Sequence, residues 1–505
     1  MANMNDMSQA EETRKSLKLD PTQEQAVKAL VTGYSVDPNS QTDGAAVRYQ
    51  QLDGMIRNVT YGTNDFTILR QLMDSAKLEA KSTVQQYAIF EKHGKSGHQL
   101  FQPEIAISDI ETPHLKQKTV EMKFIVANRA ESFASQRVSN IEDTDRINEL
   151  DAVVSVGKTI EGAIFYGDSD LASQTGETGL EFDGLEKLID SNNFIDNQGR
   201  ALTPDTLNNS INRIAKGFGT ATDAWMPVGV KADFDNQFLG AQRIAMPTPQ
   251  GTVVGTDVEM FNGARGRVKL HDSTIMDMDL VLDTDFELDA KAPSKPEFAG
   301  AVEVKSANGT FRAAGAAAAE EKMPLASRTG LPDDVGRKMS YVAVAVNKHG
   351  DSLASEPIEA TITAADSAVK LSVKPLAGYG RADYIAFYRQ DPETGQYWRI
   401  ARVGAKHAQD DGTIQFLDTN ARIPGTADVF MGELNKMVIG LYELLPMTRV
   451  NTATITTASN FLCLWYGSLM LAIPKRFAMI KNVRYIDKAP AGASYMQNAG
   501  MNGTA

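Results

Sequence analysis

The 28 residues from Glu91 to Lys118 are rich in charge, Gly, His and Pro, and they separate two strand-like segments. Upstream is the apolar run Tyr87-Ala-Ile-Phe. Downstream, Val120, Met122, Phe124 and Val126 alternate with Glu121 and Lys123, the period of a strand with one polar face. Connections longer than about 12–15 residues are uncommon inside a compact domain unless they are functional or unstructured. An extended arm that packs on something outside its own domain is the cheapest physical explanation. A long helix follows. Asp143-Thr-Asp is an N-terminal capping signal, Ile147, Leu150, Val154, Ile160 and Ile164 recur at roughly helical spacing, and Tyr166-Gly-Asp stops the run.

The remainder divides by composition. Residues 1–36 form a polar leader with a helix-like stretch from Thr22 to Val31, and residues 37–291 mix helices and strands. Lys291-Ala-Pro-Ser-Lys-Pro reads as a linker. Beyond it, Tyr341-Val-Ala-Val-Ala-Val, Val369-Lys-Leu-Ser-Val, Tyr384-Ile-Ala-Phe-Tyr and Thr413-Ile-Gln-Phe-Leu are short strands at near-regular spacing, with Gly/Pro turns between them. That is the signature of a β-sandwich. The segment Tyr341 to Ile362 resembles the last two strands of a fibronectin type III or immunoglobulin-like domain. Ala313-Ala-Gly-Ala-Ala-Ala-Ala-Glu-Glu is read as a loop or short helix within it. The mixed pattern returns after Pro424-Gly, so residues 292–426 read as an insertion into a parent domain that residues 427–505 complete.

Composition excludes several classes. The chain has 505 residues, 51 Lys+Arg against 64 Asp+Glu and a formal charge of −13. Nonspecific nucleic-acid binding rests on excess cations, so it is disfavoured. The single cysteine, Cys463, forms no intrachain disulfide and lies in an apolar run, where it reads as a small buried hydrophobe. The leader lacks the apolar core of a secretory signal, and the longest apolar stretch, Phe461 to Ile473, is too short for a membrane helix. A soluble protein made in the cytoplasm is expected.

Catalytic signatures are absent: the sequence holds no Walker A, no Gly-x-Ser-x-Gly and no HExxH. His93 and His98 flank Lys95, but His-x4-His on a loop implies no third metal ligand, and a solvated arm is the better reading. The acidic run from Asp277 to Asp289 has Leu282 where a calcium loop needs Gly, so a strand with one wet face is expected. Gly217-Phe-Gly follows a helix (Leu207 to Ala215), which makes it a helix cap before a core strand and not a phosphate loop. Asn262-Gly-Ala-Arg-Gly-Arg-Val-Lys is locally basic without aromatic interleaving, and reads as a surface turn or subunit contact. No catalytic, cofactor-binding or metal residue is assigned, and no cofactor is expected.

Several segments in chain order resemble the major capsid protein of tailed bacteriophages, with the α+β Hong Kong 97 type fold, in particular that of the large Twort-like myoviruses. The carriers are Val156-Gly-Lys-Thr-Ile-Glu-Gly-Ala-Ile-Phe-Tyr-Gly-Asp, Gly179-Leu-Glu-Phe-Asp-Gly-Leu-Glu-Lys-Leu-Ile-Asp, Lys216-Gly-Phe-Gly-Thr-Ala-Thr-Asp-Ala-Trp-Met-Pro, Tyr442-Glu-Leu-Leu-Pro-Met, Leu464-Trp-Tyr-Gly-Ser-Leu and Lys481-Asn-Val-Arg-Tyr. The resemblance covers the inserted immunoglobulin-like domain as well. It implies an N-terminal arm, an extended loop within 87–126, a peripheral domain with a spine helix at about 144–165, and an axial domain. It also implies pentamers and hexamers in an icosahedral virion shell assembled in the host cytoplasm. Double-stranded DNA would be enclosed without sequence-specific contacts, and portal and scaffold or protease would be partners. Lys92, His93, Lys95 and His98 become candidate inter-subunit contacts in the extended loop, with no covalent cross-link assigned. Glu24 becomes a candidate maturation cleavage site. The rival readings are a tail sheath or tail tube subunit, and a hydrolase with an accessory sandwich in which Glu181 and Asp183 would be the paired carboxylates.

Overall fold

The computed structural model describes residue 62 and most of residues 65–484; its internal gaps are 94–99, 102–103, 105–111, 134–136, 138–142, 239–243, 249–250, 256–257, 284–287, 301, 307–337, 363–366, 376–380, 393 and 454–456. Glu24, Lys95, His98 and the alanine-rich stretch at 313–321 therefore lie outside the described residues.

In chain order, helix α1 (Ile68–Ser75) leads into β1 (Lys77–Glu79), then β2 (Val84–Lys92), β3 (His114–Glu121) and β4 (Lys123–Ser132). Helix α2 (Thr144–Tyr166) is followed by α3 (Leu185–Leu188), β5 (Phe194–Asp196), α4 (Pro204–Lys216), β6 (Asp223–Pro227) and α5 (Val228–Phe238). Next come β7 (Ile244–Thr248), β8 (Gly251–Gly255), β9 (Met260–Gly263) and β10 (Gly266–Ser273). Strands β11 (Glu297–Phe298), β12 (Glu303–Ser306), β13 (Lys338–Asn347), β14 (Gly350–Asp351), β15 (Ile358–Thr361), β16 (Ser367–Lys374), β17 (Tyr384–Gln390), β18 (Tyr397–Gly404) and β19 (Ile414–Asp418) fill the middle. The chain closes with β20 (Thr426–Gly432), β21 (Ile439–Asn451), β22 (Ala458–Leu471) and β23 (Phe477–Arg484).

Helix α2 starts at Asp143, whose carboxylate accepts from the Asp145 N–H. Its buried stripe is Ala152, Val156, Ile160 and Ile164, a strict four-residue spacing, and it lies on the sheet β1-β21-β22-β4 against Phe461, Cys463, Trp465, Leu469 and Leu471. This shifts the face expected from the sequence: Leu150 is 54% exposed. Ahead of Ala152 arginines replace apolar contact. Arg449 reaches Asp145 and Glu149 at 2.8 Å with its guanidinium over the Phe461 ring, and Arg129 pairs with Asp151 at 2.6 Å.

The expected strand across Val120 to Val126 is in fact two. Met122 is buried at the break between β3 and β4, and β4 then runs in the opposite phase, with Ile125 and Ala127 packed toward α2 and Phe124 and Val126 facing outward. The backbone turns at Met122 because its side chain joins Ala80, Tyr442 and Met470 in a small core.

A second sheet, β5-β23-β20-β6-β10-β9, is covered by α4 and α5 through Leu207, Ile211, Ile214, Val230 and Phe234. Two further sheets, β11-β16-β12 with β19 on β16, and β14-β13-β17-β18 with β15 on β13, share a core of Tyr341, Ala343, Ala345, Leu371, Val373, Ile385 and Phe387. Strand β13 is buried on both faces, since Val344 and Val346 pack with Ala386, Tyr388 and Leu282. Buried Arg389 bonds Asp418 at 2.6 Å, and Tyr341 donates to the same carboxylate at 3.0 Å. The acidic run expected as a strand is instead a short 3-10 turn at Met278–Leu280. Val281 bridges Trp398, and 284–287 lie outside the described residues.

Candidate assembly surface

Strands β2 and β3 form a two-stranded hairpin that pairs with no other sheet among the described residues. Its inner face, Tyr87, Ile89 and Val120, rests on the small core around Met122, Tyr442 and Met470. Its outer face is open. Phe90 and Leu115 sit opposite each other across the two strands and are 52% and 65% exposed, with Val84 exposed on the same face. Lys92 pairs with His114 beyond a register shift at Phe90, and the His93 ring lies 4.7 Å from the Phe90 ring. The structure thus puts Lys92 and His93 at the far end of the hairpin. Sequence reasoning named those polar residues and missed the apolar pair beside them. The continuous apolar run Tyr87-Ala-Ile-Phe, too apolar for a strand with one buried face, was the available signal.

A second open apolar face lies on the side of the β4-β22-β21 layer away from α2. Phe124 packs edge-on against Tyr466 at 4.7 Å, and Val126, Leu464, Leu462 and Val450 continue the row through the strand register. Exposed apolar surface of this kind on two elements of one chain marks interaction surface.

Helix α1 packs against α2 and β21 through Ile68, Leu69 and Leu72. Buried Glu161 of α2 accepts the backbone N–H groups of Thr67, Ile68 and Leu69 at 3.1, 3.1 and 2.8 Å, satisfying donors that a helix start leaves orphaned. Burial outweighs these three bonds and pushes the carboxyl up to about 7. Gln71 of α1 accepts from the Trp225 indole at 2.8 Å and meets His271 at 3.0 Å, and His271 reaches Asp223 at 2.8 Å. Burial opposes ionisation of Asp223, but the His271 and Thr222 bonds hold its carboxyl below the usual range.

The candidate carboxylates of the hydrolase reading have other work. Glu181 takes both bonds from Arg402 of β18, at 3.1 and 3.0 Å, and Asp183 accepts the Ser169 N–H at 2.9 Å and pairs with Lys187. They belong to the seam where β18 meets the end of α2. There Arg402 also donates to the Tyr166 carbonyl, Lys406 and His407 share Asp170, and Arg422 lies between Glu186 and Asp428 at 2.8 and 2.9 Å. Burial works against Glu186, yet Arg422 and Lys481 hold its carboxyl down at about 2. Among the described residues no group of three or more His, Cys, Asp or Glu side chains is placed to hold a metal, and no helix is long and apolar enough to cross a membrane.

A long helix laid on a sheet, a two-stranded hairpin and exposed apolar residues on two elements make up the candidate surface, and the sequence relatives supply the class of protein. The chain belongs to the major capsid proteins of tailed bacteriophages. It is 43% identical over 469 residues to the major capsid protein of Staphylococcus phage K, covering 92% of this chain and 96% of that protein, with the same figures for that of Staphylococcus phage S25-3. The SU10 major capsid protein family model matches residues 127–300. Among solved structures, the capsid of the native GTA particle aligns with a TM-score of 0.39 at 10% identity, over 89% of this chain and 100% of that one. The capsid of Cyanophage P-SCSP1u aligns at 0.41 and 7%, over 89% and 97%. The assignment rests on the sequence relatives. The protein is a structural component of the virion.

Proposed function

We propose that copies of this chain close into an icosahedral head as pentamers and hexamers, each copy laying its β2–β3 hairpin on a neighbour. The observation that carries this reading is the open outer face of the hairpin, with Phe90 and Leu115 paired across the strands and covered by nothing among the described residues. Its natural seat is the apolar row of a second copy around Phe124 and Tyr466. Each such contact is modest, and linked contacts multiply as multivalent ones do. Lys92 and His93, with Lys95 and His98, would meet the neighbour at the hairpin's far end.

In this reading α2 is the spine helix of a peripheral domain and the sheet carrying β6 and β20 is the core of an axial domain. Residues 292–426 are an inserted immunoglobulin-like domain on the outer surface of the shell, where it does not compete with packaged DNA. A net charge of −13 suits a container that holds duplex DNA without adhering to it. Portal and scaffold or protease would join the shell during assembly in the host cytoplasm, and Glu24 would be the trimming site. The role is structural.

Substituting Phe90 and Leu115 together by serine tests the reading. Subunits that melt as the parent does but yield at least tenfold fewer closed shells by negative stain and sedimentation are expected. Shells at parental yield overturn it. Intact-mass measurement of the mature virion protein decides cleavage after Glu24: a chain beginning at Gln25 supports it, and an intact leader refutes it.

A further inference from the structure

Helix α4 ends in a turn whose construction is inverted relative to ordinary helix termini. The Gly219 N–H bonds the Ile214 carbonyl at 3.1 Å and the Phe218 N–H bonds the Ala215 carbonyl at 3.0 Å, the pair that makes a Schellman cap. The left-handed residue of such a cap is normally glycine. Here it is Phe218, at φ +61°. Glycine stands on either side instead, where a Cβ would meet the Lys475 carbonyl oxygen at 2.5 Å or the Arg476 side chain at 2.8 Å. The flanks are thus locked, and a bulky ring is held at the position where L-residues are strained.

The ring gains no packing in return, being 82% exposed. Its surroundings are cationic. Lys216 and Lys475 are exposed beside it, and Arg265, from the basic turn between β9 and β10, donates to the Ala215 carbonyl at 3.2 Å. Glu433 accepts the Thr220 N–H at 3.2 Å and clasps Arg476 through both oxygens. That ties the turn to the loop bearing exposed Lys436 and Met437, the latter 79% exposed. The basic turn that lacked an aromatic in the sequence therefore acquires one in the fold.

We propose that Phe218 is a knob at a contact between copies, entering an apolar socket rimmed by carboxylates on a second chain while Lys216, Arg265 and Lys475 face that rim. An aromatic anchor ringed by charge is the composition of an interface hot spot, and 64 Asp+Glu against 51 Lys+Arg give a second copy an excess of carboxylates to complement those cations. Duplex DNA fits the cations but not the ring: its phosphate surface cannot cover a phenyl group, and its bases are already stacked. This inference rests on the assembly reading and adds a contact remote in sequence from the hairpin.

Photocrosslinking decides it. p-Benzoylphenylalanine placed at position 218 and illuminated in assembled shells is expected to give a covalent pair of chains whose adduct peptide carries Asp or Glu. An adduct with DNA or another virion protein, or no chain–chain adduct, overturns the proposal. Phe218→Gly is the second variant, since glycine accepts φ +61° and the subunit should melt no lower than the parent. Its critical concentration for assembly should rise at least tenfold, and an unchanged value overturns the proposal. Parental protein that forms no shells would overturn the assembly reading itself. Parental assembly with an indifferent Phe218→Gly would remove only the knob.

Discussion

Glu161 shows how one side chain serves two helices and leaves a pH signature. The carboxyl caps α1 from the side of α2, and burial holds its folded value near 7 against an ordinary value of 4.5. The folded state therefore binds a proton that the unfolded chain has released between those values. The stability linked to this group is full below about 4.5 and is lost as pH rises through about 7, by roughly 3 kcal/mol in all. Denaturant melts from pH 4.5 to 8 should show the parent losing ground to Glu161→Gln across that window, and a constant difference would refute the assignment. Gly157 is a neighbouring test. Alanine is favoured over glycine inside a helix by about 1 kcal/mol, but a Cβ here would lie 2.5 Å from the Phe66 ring. Gly157→Ala should lower the melting temperature even so. Neither effect was legible in the sequence, because nothing near Glu161 in the chain announces that the start of α1, more than ninety residues earlier, will need its oxygens.

At the scale of elements, legibility followed how completely one face decides an element. The limits of α2 were visible from its cap at Asp143 and its stop at Gly167, and the alternation of Tyr341 to Val346 was visible as a strand. The face of α2 was misread because Ile147 and Leu150 are apolar, while the sheet beneath that end offers arginines in place of a groove. Removing the clamp should fray only that end. Arg449→Ala is expected to cost about 1 kcal/mol or less, since its pairs are partly solvated, and to speed amide hydrogen exchange over Asp145 to Leu150 while leaving Val156 to Ile164 protected. Strand β18 went unread because Tyr397-Trp-Arg-Ile-Ala-Arg-Val mixes charge into both faces. The fold uses both, with Trp398 in the core beneath α2 and Arg402 on Glu181. The hairpin was foreshadowed as two strand-like segments framing an extended arm, but its exposed pair Phe90 and Leu115 was not, because Leu115 lies inside the stretch read as the arm.

For the molecule as a whole, the insertion we propose raises the question of whether the sandwich and its parent behave as one body. Trp398 belongs to the sandwich by strand pairing and to the parent by packing. Val281 of the parent bridges it, and the Leu282 N–H bonds the Tyr397 carbonyl at 2.9 Å. Trp398→Ala should cost about 3–5 kcal/mol, and the loss should be felt on both sides of the seam. Calorimetry of the parent is expected to give one cooperative transition, and the variant to split it. Two transitions in the parent would show that the seam is weak. The same seam has an evolutionary consequence. A module joined only through its two ends can be traded between lineages like a cassette, but a graft of this one would carry a naked tryptophan and an arginine that has left its acid behind. Exchange of the sandwich among related phages would then require the helix end to travel with it, so recombination breakpoints should fall outside the stretch from Tyr166 to Asp428 and not at the sandwich's own borders.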